Sequence, residues 1–134
     1  MTNKQRFIKL FHLFYSFLSI LLLCIALYCL AGMFWQHRTG NLFFPFGYRP
    51  VVILSGSMEE ELKTGDIVIV KQTKAVKEND ILFFLTEDQT PVIHRYIATD
   101  ENGNFITKGD ANPLEDQEPV TIEQVYGKVI KVFH

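Results

Sequence analysis

Residues 11–35 read FHLFYSFLSILLLCIALYCLAGMFW, 25 positions without one Asp, Glu, Lys or Arg. As an α-helix rising ~1.5 Å per residue, this run exceeds the ~30 Å hydrocarbon core of a bilayer and spans it with some tilt. His12 stands at its start, where an imidazole reaches the headgroups, and Tyr15, Phe34 and Trp35 lie near the two ends, where amphipathic rings collect. A cleavable leader would share the basic start and would use the small residues around Cys29-Leu30-Ala31-Gly32. Its apolar stretch would be only about 7 to 15 residues long, so an uncleaved anchor is expected.

Charge divides about this segment. Lys4, Arg6 and Lys9 precede it, Arg38 alone follows closely, and all 15 carboxylates lie from Glu59 onward. Basic flanks stay on the cytoplasmic side, which puts the N-terminus inside and the body outside. The expected organisation is a basic cytoplasmic tail over 1–10, a transmembrane helix over 11–35 and an extracytoplasmic domain over 36–134. A chain of 134 residues has room for one such segment and one small domain. Cys24 and Cys29, five positions apart on the apolar helix, point in different directions and serve as small apolar filler. The body has no cysteine, hence no zinc site of the cysteine type, and neither metal, cofactor nor nucleic acid is expected.

After a polar connector over 36–41, residues 42–48 turn apolar again. Pro45 and Gly47 break this stretch and it is too short to span, so it is either a loop packed on the core or an apolar lip at the membrane surface. Strands are expected over 51–54, 66–70, 81–85, 92–98, 104–107 and 126–133, with the breaks between them rich in Gly, Asn, Asp and Pro. Short strands so closely spaced, with no second convincing helix, predict an all-β domain, a folded, barrel-like antiparallel sheet behind one N-terminal transmembrane helix.

Three groups in the body carry potential chemistry. Ser55-Gly56-Ser57 ends the first strand, where a glycine permits a sharp path that exposes a hydroxyl and backbone donors. His94 is the one histidine central to the body, on the face of its strand shared with Val92 and Tyr96, and an imidazole is a base that is largely neutral at ordinary pH. Residues 107–116, TKGDANPLED, bring Asp110 and Asp116 in a loop built to turn. Taken singly, each reads as ordinary structure: a turn, a packed histidine, and aspartates capping their own loop.

In order and wording together, VVILSGSMEEELKTGDIVIVK, NDILFFL, VIHRY and TKGDANPLEDQEPVTIEQVYGKV, behind an N-terminal anchor, resemble the type I signal peptidases, on the branch found in the endoplasmic reticulum, archaea and some Gram-positive bacteria. The likeness covers nearly the whole chain from the apolar segment onward. It implies a serine endopeptidase in which Ser57 is the nucleophile and His94 the general base, where the common bacterial enzymes carry lysine. Asp110 and Asp116 are both candidates for orienting the imidazole, and the Ser57 amide and Ser55 hydroxyl are the implied oxyanion donors. Substrates would be signal peptides of secretory precursors with small residues, usually alanine, first and third before the cut. The bilayer would be a partner, and the secretion translocon a neighbour.

Two positions depart from the family pattern. Glu60 stands where proline is usual, which predicts a less rigid turn after the nucleophile. Many relatives carry a second membrane segment after the domain, whereas this sequence reads Val132-Phe133-His134 at its end, as a single-anchor form or a truncated chain would. Other readings are a self-cleaving serine domain like the SOS repressors, which use lysine and lack the anchor; a membrane-tethered pseudoenzyme that binds secretory chains without cleavage; and an anchored structural β-domain.

Overall fold

A computed structural model describes residues 3–134 as two compact units divided between Pro45 and Phe46. In the first, α1 (Asn3–Thr39) is a single helix, roughly 55 Å long at ~1.5 Å per residue. It takes in the basic residues Lys4, Arg6 and Lys9 and also residues 36–39, so most of the polar connector expected there is helical. Its Leu, Ile and Phe side chains are uncovered on every face, and it is long and apolar enough to cross a membrane. Such a helix satisfies its own backbone polar groups, which hydrocarbon demands. Gly40 ends it with φ +71°, its amide donating to the Gln36 carbonyl at 2.9 Å, and Arg38 lies over the Phe34 ring.

The chain then doubles back. Phe43 donates its amide to Gln36 Oε1 at 3.0 Å and sets its ring against Tyr28 and into the space left by Gly32, where a Cβ would meet the ring at 2.1 Å.

The second unit is one antiparallel sheet of β1 (Tyr48–Val52), β2 (Ile67–Gln72), β3 (Ile81–Leu85), β4 (Pro91–Thr99), β5 (Phe105–Lys108) and β6 (Val125–Phe133), in the order β1-β2-β6-β3-β4-β5. The six strands and the leading helix have the expected architecture. The first strand begins at Tyr48 rather than Val51 and stops before Ile53, because Ile53 already bonds the turn that follows: its amide donates to the Asp66 carbonyl and its carbonyl accepts from Gly65. Three register shifts, at Ile69/Val70, Phe83/Phe84 and Tyr96/Ala98, add local twist. The sheet curls so that the turn after β1 meets β4, four strands farther along.

Its core centres on β3, whose five residues are all buried, on both faces of the strand. Leu82, Phe84 and Tyr96 join Val120 and Val125 in one cluster, while Val68 and Val70 of β2 are fully buried between exposed or half-buried neighbours. Each such side chain contributes ~1.5–3 kcal/mol on leaving water. Asp80, just before β3, accepts from Lys128 Nζ of β6 at 2.8 Å. Burial acts to raise its pKa, but the Lys128 bond and the Lys77 amide outweigh it and hold the carboxyl below its usual range.

The turn after the Ser-Gly-Ser segment differs from expectation. Glu59 has φ −55° and ψ 145°, Glu60 has φ +92°, and the Glu61 amide donates to the Met58 carbonyl at 3.2 Å, which is a type II turn. Proline, fixed near −65°, does not fit the Glu60 conformation, so the glutamate does not merely loosen a proline turn but occupies a glycine-like position. Glu60→Gly is expected to raise stability by about 1 kcal/mol and Glu60→Pro to lower it, both measurable by thermal unfolding.

Candidate active site

Ser57 lies in a single 3₁₀ turn (Gly56–Met58) just beyond the end of β1. Behind it Met58 is buried and anchors the turn, and its Sδ accepts the Asp110 amide at 3.4 Å. In front, Ser57 Oγ lies 3.1 Å from His94 Nε2 and 3.2 Å from Ser55 Oγ. On the other side of the ring, His94 Nδ1 is 2.7 Å from Asp116 Oδ2.

A carboxylate only accepts hydrogen bonds, so Nδ1 carries the proton of the neutral imidazole and Nε2 is left to accept from the Ser57 hydroxyl. The same Asp116 oxygen accepts from Thr107 Oγ1 at 2.7 Å. Thr107 is fully buried on β5, and its carbonyl accepts the Asp116 amide at 2.8 Å. The carboxylate is thus held from two directions, and Ser57, His94, Asp116 and Thr107 form one continuous hydrogen-bonded chain.

Asp110 is not part of it. Its two oxygens take Arg95 Nε at 2.8 Å and Nη2 at 2.6 Å, while Arg95 Nη1 reaches the Asn79 carbonyl. This forked contact with Asp110 raises the guanidinium pKa further, against the opposing effect of burial. The exposed Glu61 adds only a distant ion pair at 3.9 Å. Loop 109–112 also grips the Ser57 turn, since the Ala111 amide donates to the Ser57 carbonyl at 3.0 Å.

Two cavities flank His94. One, of about 360 Å³, runs between residues 51–55 and 91–94, with Leu54, Met58, Phe83, Ile93 and Asn112 among its walls and Ser57 at its edge. The other, of about 280 Å³, is reached past Asp116. Among the described residues, no group of three His, Cys, Asp or Glu side chains is placed to hold a metal ion.

A family profile described as Peptidase S24-like matches residues 48–130, nearly the whole sheet and every residue of this chain of hydrogen bonds. Signal peptidase complex catalytic subunit SEC11 of Lodderomyces elongisporus is 31% identical over 133 residues, 94% of this chain and 71% of that protein. The chain belongs to the S24-like peptidases, among the type I signal peptidases. Signal peptidase I W of Bacillus subtilis is 41% identical over 86 residues, and SEC11C of Homo sapiens 35% over 74. The chain spans 45% and 38% of those two relatives' lengths.

Against that family pattern, two residues escape sequence reasoning. Thr107 looked like the last residue of a strand, and only its burial beside Asp116 shows what its hydroxyl does. Gly109 looked like a turn former, yet a Cβ there would lie 2.5 Å from the Ser57 carbonyl oxygen and 2.7 Å from Asn112 Nδ2. Gly109→Ala therefore pushes the loop off the Ser57 turn. Peptide cleavage is expected to fall about 100-fold, as ångström-scale misplacement does, with a lowered melting temperature and retained secondary structure by circular dichroism.

Proposed function

We propose that this chain is a membrane-bound signal peptidase that removes signal peptides from secretory precursors by serine acyl transfer. The reading rests above all on the unbroken chain from Ser57 through His94 to Asp116, beside a mostly apolar cavity. The names of the relatives supply the substrate class.

In this reading His94 Nε2 takes the Ser57 proton as Oγ attacks the carbonyl carbon before the cut. The imidazolium, steadied by Asp116, then gives that proton to the leaving nitrogen. Water, activated by the same nitrogen, attacks the acyl ester and frees Ser57 Oγ, which recovers its proton. Negative charge on the carbonyl oxygen is met by the Ser57 amide and the Ser55 hydroxyl, whose position near Ser57 Oγ suits that role. Residues 1–10 are cytoplasmic, 11–35 cross the bilayer and 36–134 act on the far face, where a translocon delivers cleavage sites. A pseudoenzyme role fits less well, since a binding protein has no need of so connected a proton path.

The test is to incubate the chain, reconstituted in vesicles, with a secretory precursor carrying alanine first and third before its cleavage site. Expected are two products and a mature N-terminus at that site by terminal sequencing. An uncut precursor, or cuts scattered elsewhere, defeats the reading.

A further inference from the structure

The second cavity beside His94 has no part in the acyl-transfer steps, and the sheet register shows what it faces. β4 pairs with β3 over Pro91–Arg95 and with β5 only from Arg95 onward, so the outer edge of 91–94 has no partner strand among the described residues. β1, at the sheet margin, pairs only with β2. An extended peptide laid in the gap between these edges adds a strand, and its side chains alternate between the two faces.

Phe83↔Ile93 and Phe84↔Val92 are consecutive pairs of one ladder and therefore stand on opposite faces. The larger cavity contains Phe83 and Ile93, whereas the smaller contains Phe84 and not Phe83 or Ile93, with Val92 and His94 as a wall common to both. If the first and third residues before the cut enter the larger cavity, the second is turned to the smaller one. There Phe84 and Val92 make an apolar floor, and Gln117 and Glu118 a polar, exposed rim. Asp116 binds His94 and Thr107 through Oδ2 and is half-buried, whereas Glu118 is exposed on the rim, where an incoming side chain meets it first.

We infer that this cavity receives the second residue before the cut and that Glu118 selects its charge, favouring a basic side chain with an aliphatic stem over an acidic one. The inference rests on the peptidase reading above.

It is tested with the full chain in detergent and peptides of signal-peptide type that keep alanine first and third before the cut and vary the second among Lys, Ala and Glu. An exposed charge pair changes kcat/KM by about fivefold, so Lys is expected to exceed Glu by about that factor. Glu118→Gln should bring the ratio near one and Glu118→Lys should invert it, each rate being taken relative to that of the Ala peptide in the same protein. A ratio near one in the unaltered chain, or one that ignores the substitutions, overturns the inference while leaving the peptidase reading intact. Failure to cut any peptide overturns both.

Discussion

Ser57→Ala and His94→Ala are each expected to lower precursor cleavage about 10⁴-fold or more while the protein stays in the membrane fraction. Ser57 Oγ and His94 Nε2 stand 3.1 Å apart, and each is useless without the other: the hydroxyl is too weak an acid to attack unaided, and the imidazole has no other nucleophile to activate. Groups that act as a unit lose nearly everything on the first deletion, so the double variant should be little worse than either single one. The measurement is the initial rate of product formation in vesicles, with circular dichroism and sedimentation to establish that both variants fold and remain anchored. Cleavage by either variant at the unaltered rate would remove these residues from the mechanism.

Asp116→Asn is expected to cost about 10⁴-fold in kcat, because an amide oriented to donate imposes the wrong tautomer on the imidazole. Asp110→Asn should behave differently. It leaves the partly buried Arg95 guanidinium with a weaker partner, so the loss is about 2 kcal/mol of stability, read by denaturant unfolding, with a far smaller loss in rate. Thr107→Val, which keeps shape and removes only the hydroxyl donor to Asp116, should fall between, at about tenfold in kcat. If Asp110→Asn proved the more damaging to kcat and Asp116→Asn the milder, the assignment of the two carboxylates would be reversed.

The sequence makes the strands legible because their residues alternate or run apolar for four or five positions between turn formers, as in ILFFL and IVIV. Helix ends were less so. The apolar run marks what hydrocarbon requires, but a helix continues through Lys4 or Gln36 as readily as through leucine, and only the Gly40 cap stops it. Ser57 and His94 are brought together across the curl of the sheet, a closure that no local pattern encodes. The choice between Asp110 and Asp116 was open for the same reason, since both lie in one turn-rich loop and differ only in which way their strand neighbours point. Glu60 shows the reverse case: its chemistry was plain, while the φ +92° that it must bear comes from the turn around it.

His94 and Arg95 are successive residues of one strand, and the two aspartates of one loop are divided between them, Asp116 to the imidazole and Asp110 to the guanidinium. The allocation is therefore a matter of odd and even. A slip of β4 by a single position against β3, such as a one-residue insertion near the Thr86–Thr90 turn would invite, would exchange the two faces and present a permanently charged guanidinium where the imidazole now faces Ser57. Every motif would survive such a change, and the activity proposed above is expected to be lost. The hairpin between β3 and β4, distant in sequence from Ser57, thus acts as the index mark that keeps each of the two residues facing its own aspartate.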